Sequence, residues 1–265
     1  MRTELYYFTG TGNGLHIAKS IQSKLELLNQ EVALIPINSM DLTSRISSSA
    51  ERVGIIYPTY AMSAPSIVKE FAKQMRVSSG SYLFLYAHSG GGGAKGSLYA
   101  INRILTDNGV KISGTFETTF PSNSTMMAYT DEKLDKVLNE AEVSIKNHVE
   151  VIVNKGQNEV AKTTMIKNTS ATLTEKLAGA FENMLQFKII SADDSCVGCN
   201  TCEKVCPVEN IEMKSGRPTF KKNCEMCMAC INQCPKQSLA FGKMKKEKLL
   251  SYRHPQVELK ELMYR

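Results

Sequence analysis

All eight cysteines of this 265-residue chain fall between residues 196 and 234. They make two copies of one pattern, C-x-x-C-x-x-C-x-x-x-C-P: Cys196, Cys199, Cys202 and Cys206 before Pro207, then Cys224, Cys227, Cys230 and Cys234 before Pro235. Thiolates at this spacing suit iron–sulfur cubes. Three of them, two residues apart in a tight loop, converge on one cube, while the fourth sits beyond a turn that carries it to the other. One [4Fe-4S] cluster is then expected on Cys196, Cys199, Cys202 and Cys234, and a second on Cys224, Cys227, Cys230 and Cys206. Two other chemistries use clustered cysteines. A disulfide framework belongs to an oxidising compartment, and Met1 to Gly14 lacks the basic start and apolar core of a signal peptide. Zinc modules close with four ligands and have no use for a third cysteine and C-P at this spacing.

The doubled motif is a ferredoxin signature. Each copy is followed by an apolar pair, Ile211 and Met213 in the first and Leu239 and Phe241 in the second, so the segment reads as an internal duplication.

A second stretch suited to chemistry is Thr9-Gly10-Thr11-Gly12-Asn13-Gly14, which follows an apolar run and precedes a stripe at Ala18, Ile21, Leu25 and Leu28. Strand, glycine loop and helix in that order bring backbone N–H groups, two hydroxyls and the positive end of a helix dipole to one point, which suits a phosphate. An ATP-type loop would need Gly-Lys-Ser/Thr, and no lysine precedes Lys19. A dinucleotide loop would need G-x-G-x-x-G and an acidic residue closing the second strand, where this chain has G-x-G-x-G and Ile35-Pro36-Ile37-Asn38. The loop resembles instead the phosphate loop of flavodoxins, which implies FMN held without a charged side chain. Those loops commonly end in Thr or Ser where this chain has Gly14.

The elements that must position these residues alternate along the chain. Strands are expected at residues 3–8, 31–37, 52–58, 81–88 and 110–120. Helices follow with stripes at Ala64, Ile67, Val68, Phe71, Ala72 and Met75, at Leu98, Ile101 and Leu105, and over 131–153. This alternation predicts a doubly wound α/β domain with a five-stranded parallel sheet in the flavodoxin-like order 2-1-3-4-5, followed by a small α+β ferredoxin domain with two [4Fe-4S] clusters. In that order ligands bind at the carboxyl ends of the strands, beside the switch between strands one and three. Three loops meet there: Thr9 to Gly14, Pro58-Thr59-Tyr60-Ala61, and Ser89-Gly90-Gly91-Gly92 with Gly93. The first would hold phosphate, and Tyr60 would lie on the isoalloxazine face. The glycines after Ser89 would let backbone N–H groups reach the pyrimidine edge of the flavin. Connection 38–51 is serine-rich and shows no helix.

Composition is that of a globular protein, 42% hydrophobic and 22% charged, with a net charge of +6. No apolar run reaches the roughly 20 residues of a membrane span, and no nucleic-acid motif accompanies the basic residues. The expected organisation is a flavodoxin-like FMN-binding domain at 1–160, a helical linker at 161–190, the ferredoxin domain at 191–242, and a solvated basic tail at 243–265. The expected setting is the cytoplasm, where thiols stay reduced.

The Tyr-Phe-Thr-Gly-Thr-Gly-Asn opening, the Phe120-Pro121-Ser122-Asn123 stretch, the two-cluster segment and the Tyr252-Arg253-His254-Pro255 tail together resemble the EFR-type ferrodoxin family, flavodoxin–ferredoxin fusions of anaerobic microbes. That resemblance implies an electron-transfer module relaying single electrons between two [4Fe-4S] clusters and FMN, with redox proteins as partners. Two alternatives stand beside it: an FMN-dependent reductase of a small substrate such as a quinone, and a docking module whose flavodoxin-like domain holds no cofactor. No pattern of His, Cys or carboxylate in the first domain marks a substrate-acting acid or base.

Overall fold

Strand β1 (Arg2–Tyr7) is apolar on both sides, and its alternation feeds two separate cores: Leu5 and Tyr7 pack on one face of the sheet, Tyr6 and the following Phe8 on the other. The same division runs through β4 (Arg52–Pro58) and β6 (Tyr82–Ser89), where Ile55 and Ile56, and Leu85 and Phe84, point to opposite faces. A strand buried on both faces belongs to a parallel sheet covered by helices. The computed structural model describes residues 1–60, 62–123, 129–157, 190–242 and 251–264.

In chain order the elements are β1, α1 (Asn13–Leu27), β2 (Glu31–Pro36), β3 (Ile46–Ser48), β4 (Arg52–Pro58), α2 (Ser66–Gln74), β5 (Met75–Val77), β6 (Tyr82–Ser89), α3 (Lys95–Asp107), β7 (Gly114–Thr119) and α4 (Asp131–Val153). The main sheet runs β2-β1-β4-β6-β7, all parallel. Counted within that sheet, the order is 2-1-3-4-5, so the first half is flavodoxin-like. Helices α1 and α4 cover one face through Ile17, Ile21, Leu25, Ala141, Ile145 and Val149, and α2 and α3 cover the other through Val68, Phe71, Leu98 and Ile101. The serine-rich connection, expected without a helix over 38–51, opens on a single 3-10 turn at Ile37–Ser39 and adds a short parallel pair, β3 with β5. Arg52 is buried at the carboxyl end of α4, where its guanidinium donates to the carbonyls of Ile152 (3.1 Å) and Val153 (2.8 Å).

The second half begins with β8 (Ile190–Ala192), continues through α5 (Thr201–Lys204), β9 (Ile211–Lys214), β10 (Arg217–Phe220) and α6 (Ala229–Asn232), and closes with β11 (Leu239–Phe241). Antiparallel pairs β9–β10 and β8–β11 flank a small core of Ile211, Ile231 and Leu239 with four of the cysteines. The expected linker helix, with Leu173, Leu177, Phe181, Met184 and Phe187, lies outside the described residues, as do Ala61 and residues 243–250. No described helix is long and apolar enough to cross a membrane.

Candidate functional site

The cysteines gather into two sets of four. Cys196, Cys199, Cys202 and Cys234 line one cleft together with Met213 and Leu239. Burial pushes the Cys202 thiol up to about 11, and Cys199, Cys234 and Cys196 add to the shift. Cys199 is exposed, and the Thr201 hydroxyl, 3.4 Å from its sulfur, is the first cause that holds its thiol below the ordinary value. The other set lies deeper. Cys227 and Cys230 are buried, and burial raises both thiols, with Cys224 and Cys206 adding to each. Cys234 thus stands with the first loop and Cys206 with the second.

Backbone donors face the sulfurs: Asn210 N–H to Cys206 Sγ at 3.1 Å, Ser238 N–H to Cys234 Sγ at 3.3 Å, and Met226 N–H to Cys224 Sγ at 3.4 Å. Each set offers four convergent soft donors in an apolar wall, the donor chemistry that an iron–sulfur cube requires.

The inner set abuts the flavodoxin-like half. Asn123 Nδ2 donates to the Cys227 carbonyl at 3.1 Å, and Asn232 Nδ2 donates to the Asn123 carbonyl at 3.2 Å. Glu225, between two inner cysteines, accepts from the backbone N–H groups of Ser66 and Ile67, each at 2.8 Å. Helix α2 has Pro65 at its N-cap and no side-chain cap of its own, so the other half of the chain supplies a carboxylate at its positive end.

The three expected flavin loops do come together at the carboxyl edge of the sheet. Pro58 pairs with His88, Thr59 N–H donates to the His88 carbonyl at 2.7 Å, and Phe120 N–H donates to the Ser89 carbonyl at 2.9 Å. Within the first loop Gly12 N–H donates to Thr9 Oγ1 at 3.0 Å. The departure at Gly14 has a steric cause, because a Cβ there would sit 2.6 Å from the Phe8 carbonyl oxygen. Gly90 lies against Ser122, while Gly91 and Gly92 are exposed.

What fills the space above the Thr9–Gly14 loop is protein. Every residue from Thr9 to Gly14 is buried. A Cβ on Gly10 would meet the Cys227 carbonyl oxygen at 2.6 Å and the Tyr60 hydroxyl at 2.9 Å. Tyr60 packs against Val205, Cys227 and Ala229, where the sequence suggested a flavin ring. The segment expected as a solvated basic tail also needs correction over 251–264. Tyr252, His254, Val257 and Leu262 are buried, because the apolar side chains between the charges join the α1–α4 core. The Tyr252 hydroxyl donates to Asn13 Oδ1 at 2.7 Å, His254 N–H to the Thr11 carbonyl at 2.9 Å, and the Tyr264 hydroxyl to the Thr9 carbonyl at 3.2 Å. In this arrangement the loop expected to hold FMN is covered by the chain's own residues.

Three buried histidines surround the same place. His16 stacks on His254 with ring centroids 3.9 Å apart, and His88 meets Phe120 edge-on. Burial lowers His88 and His254 to about 3 each. His16 Nε2 lies 2.6 Å from Glu142 Oε1, and burial lowers its pKa against that attraction.

Residues 195–239 match the 4Fe-4S dicluster domain. An uncharacterized protein of Methanocaldococcus jannaschii is 30% identical over 66 residues, which is 25% of this chain and 26% of that protein. The chain therefore spans about a quarter of the length of that curated relative. Among solved structures, a flavodoxin of Streptococcus pneumoniae TIGR4 aligns over 56% of this chain and 99% of its own, at 14% identity and a TM-score of 0.37. Flavodoxin 1 of Bacillus cereus aligns over the same shares at 13% identity and a TM-score of 0.38. The fold rests on this chain's own strand order. A flavodoxin-like half and a 4Fe-4S dicluster segment in one chain fit an electron-transfer role.

Proposed function

We propose that this chain is a single-electron carrier holding two [4Fe-4S] clusters, one on Cys196, Cys199, Cys202 and Cys234 and one on Cys206, Cys224, Cys227 and Cys230. The observation that supports it is the grouping of the thiols into two sets of four, each completed by a cysteine from the other copy. When bound, such clusters supply one-electron storage and transfer. The chain's residues do the rest. N–H groups of Asn210, Met226 and Ser238 stabilise negative charge on sulfur. Ile211, Ile231 and Leu239 exclude water. Cys199 and Val197, the latter 62% exposed, put the outer set at the surface where a redox protein can approach.

FMN remains the cofactor expected of the Thr9–Gly14 loop with Tyr60 and Ser89–Gly92. The loop is covered here by the Cys227 turn and the closing segment. That covering favours a second reading, in which the flavodoxin-like half carries no cofactor and serves as the platform on which the cluster half docks. Iron, sulfide and flavin content of anaerobically purified protein tests both readings. About eight iron atoms per chain are expected from two four-iron clusters; about four would defeat the two-cluster reading, and a stoichiometric flavin would defeat the cofactor-free platform.

A further inference from the structure

The phosphate loop is a short stretch on which three parts of the same chain converge. Cys227 and Tyr60 lie over Gly10, His254 and Val257 lie within about 3.2 Å of a Cβ built on Gly12, and Tyr252 and Tyr264 bond to Asn13 and Thr9. Farther along, Glu261 contacts Lys19 on α1, and His254 is held between His16 and Phe120. The Cys227 turn and the closing segment leave no room for a side chain on Gly10 and little on Gly12, so protein covers the loop that a phosphate ester would have to approach. These contacts are specific: hydroxyls and a backbone N–H answer the loop's own carbonyls and amide, which generic collapse would leave unpaired.

We infer that the loop has an occupant already, the chain's own Ser251–Tyr264 segment with the Cys227 turn, and that this occupant and FMN exclude one another. The inference rests on the FMN reading of the loop for the identity of the competitor. Opening requires the segment to leave α1 and the Cys227 turn to lift from Gly10, so flavin binding and docking of the inner cysteine set are linked in opposite senses. A ligand that binds only the open form has its apparent affinity reduced by the open fraction, so a form open about 1–10% of the time weakens FMN about 10- to 100-fold.

The test uses full-length, cluster-loaded protein under anoxic conditions, with FMN titrated by flavin fluorescence and loop protection read by amide hydrogen exchange over residues 9–15. Two variants loosen the segment: His254→Gly with Val257→Ser, and the milder Tyr252→Phe with Tyr264→Phe, each checked for retained iron. The expected result is slow exchange and weak FMN binding in the wild type, with faster exchange and FMN bound at least about tenfold more tightly in both variants. Equal FMN affinity in wild type and variants, or fast loop exchange in the wild type, overturns the inference and leaves the FMN reading standing. Loop exchange released in the variants with no FMN bound overturns the FMN reading and leaves the self-occupied loop intact.

Discussion

The two copies of the cysteine motif share a backbone and differ in where they sit. In the first copy Gly198 and Asn200 adopt left-handed conformations, with φ of 68° and 67°; at the matching positions of the second, Met226 and Met228 do the same, with φ of 51° and 57°. Cysteine spacing fixes the turn, so even two methionines accept a conformation that side chains ordinarily avoid. Surroundings then separate the copies. The outer set has an exposed thiol lowered by a hydroxyl, and the inner set has buried thiols raised by burial beside the flavodoxin-like half. One motif therefore sits once at the surface and once inside, and the difference lies in what packs against it.

The largest way to sharpen this contrast is to remove one ligand from each set. Cys230→Ala and Cys196→Ala should each lose about four of about eight iron atoms. Only Cys230→Ala should also loosen the contact with Tyr60 and Gly10, seen as a lower thermal midpoint of the flavodoxin-like half. Equal midpoints would break the contrast.

Acid should act on the inner side as well. His88 and His254 are neutral in the folded chain, with pKa values lowered to about 3 from an ordinary 6.5. The unfolded chain binds protons on both as pH falls below about 6.5 and the folded chain does not. Stability should therefore be unaffected by these groups above that pH and fall below it, by up to about 1.4 kcal/mol per pH unit for each. Urea unfolding from pH 7 to pH 5 would show this slope, and His88→Gln should flatten it.

Glu225→Ala removes the carboxylate from the start of α2 and should cost about 0.5–2 kcal/mol, measured by chemical unfolding. The corresponding outer residue, Val197, is exposed, and Val197→Ala should cost less than about 0.5 kcal/mol. The left-handed positions give the last contrast. Gly198→Ala should destabilise by about 1–2 kcal/mol, since it forces a side chain into that region and towards the Gly216 carbonyl, whereas Met226→Gly should come out within about 1 kcal/mol of neutral because relieved strain offsets lost packing.

Features set by local chemistry were legible in the chain. Helix α4 came out at residues 131–153 as its stripe indicated, and the strand–loop–helix alternation matched the sheet order. What stayed hidden depends on residues far apart in sequence. Arg52 capping α4, Glu225 capping α2 and the Tyr252–Asn13 hydrogen bond each join positions about 100 or more residues apart, and no periodicity records such pairs. The closing stretch 243–265 reads as basic because Lys243, Lys245, Lys246 and Lys248 open it, whereas Tyr252, Val257, Leu262 and Tyr264 do the packing. A sign was present in that spacing of large apolar side chains, yet it names no partner surface.

The central claim, two interleaved four-cysteine sites with the inner one against the flavodoxin-like half, is tested most directly by low-temperature EPR of the reduced protein in four single variants: Cys196→Ser, Cys234→Ser, Cys206→Ser and Cys224→Ser. The account predicts that Cys196→Ser and Cys234→Ser leave the same residual cluster signal, and that Cys206→Ser and Cys224→Ser leave the other. A Cys234→Ser spectrum that matches Cys224→Ser, with Cys206→Ser matching Cys196→Ser, would show that each loop keeps its own fourth ligand and would contradict it.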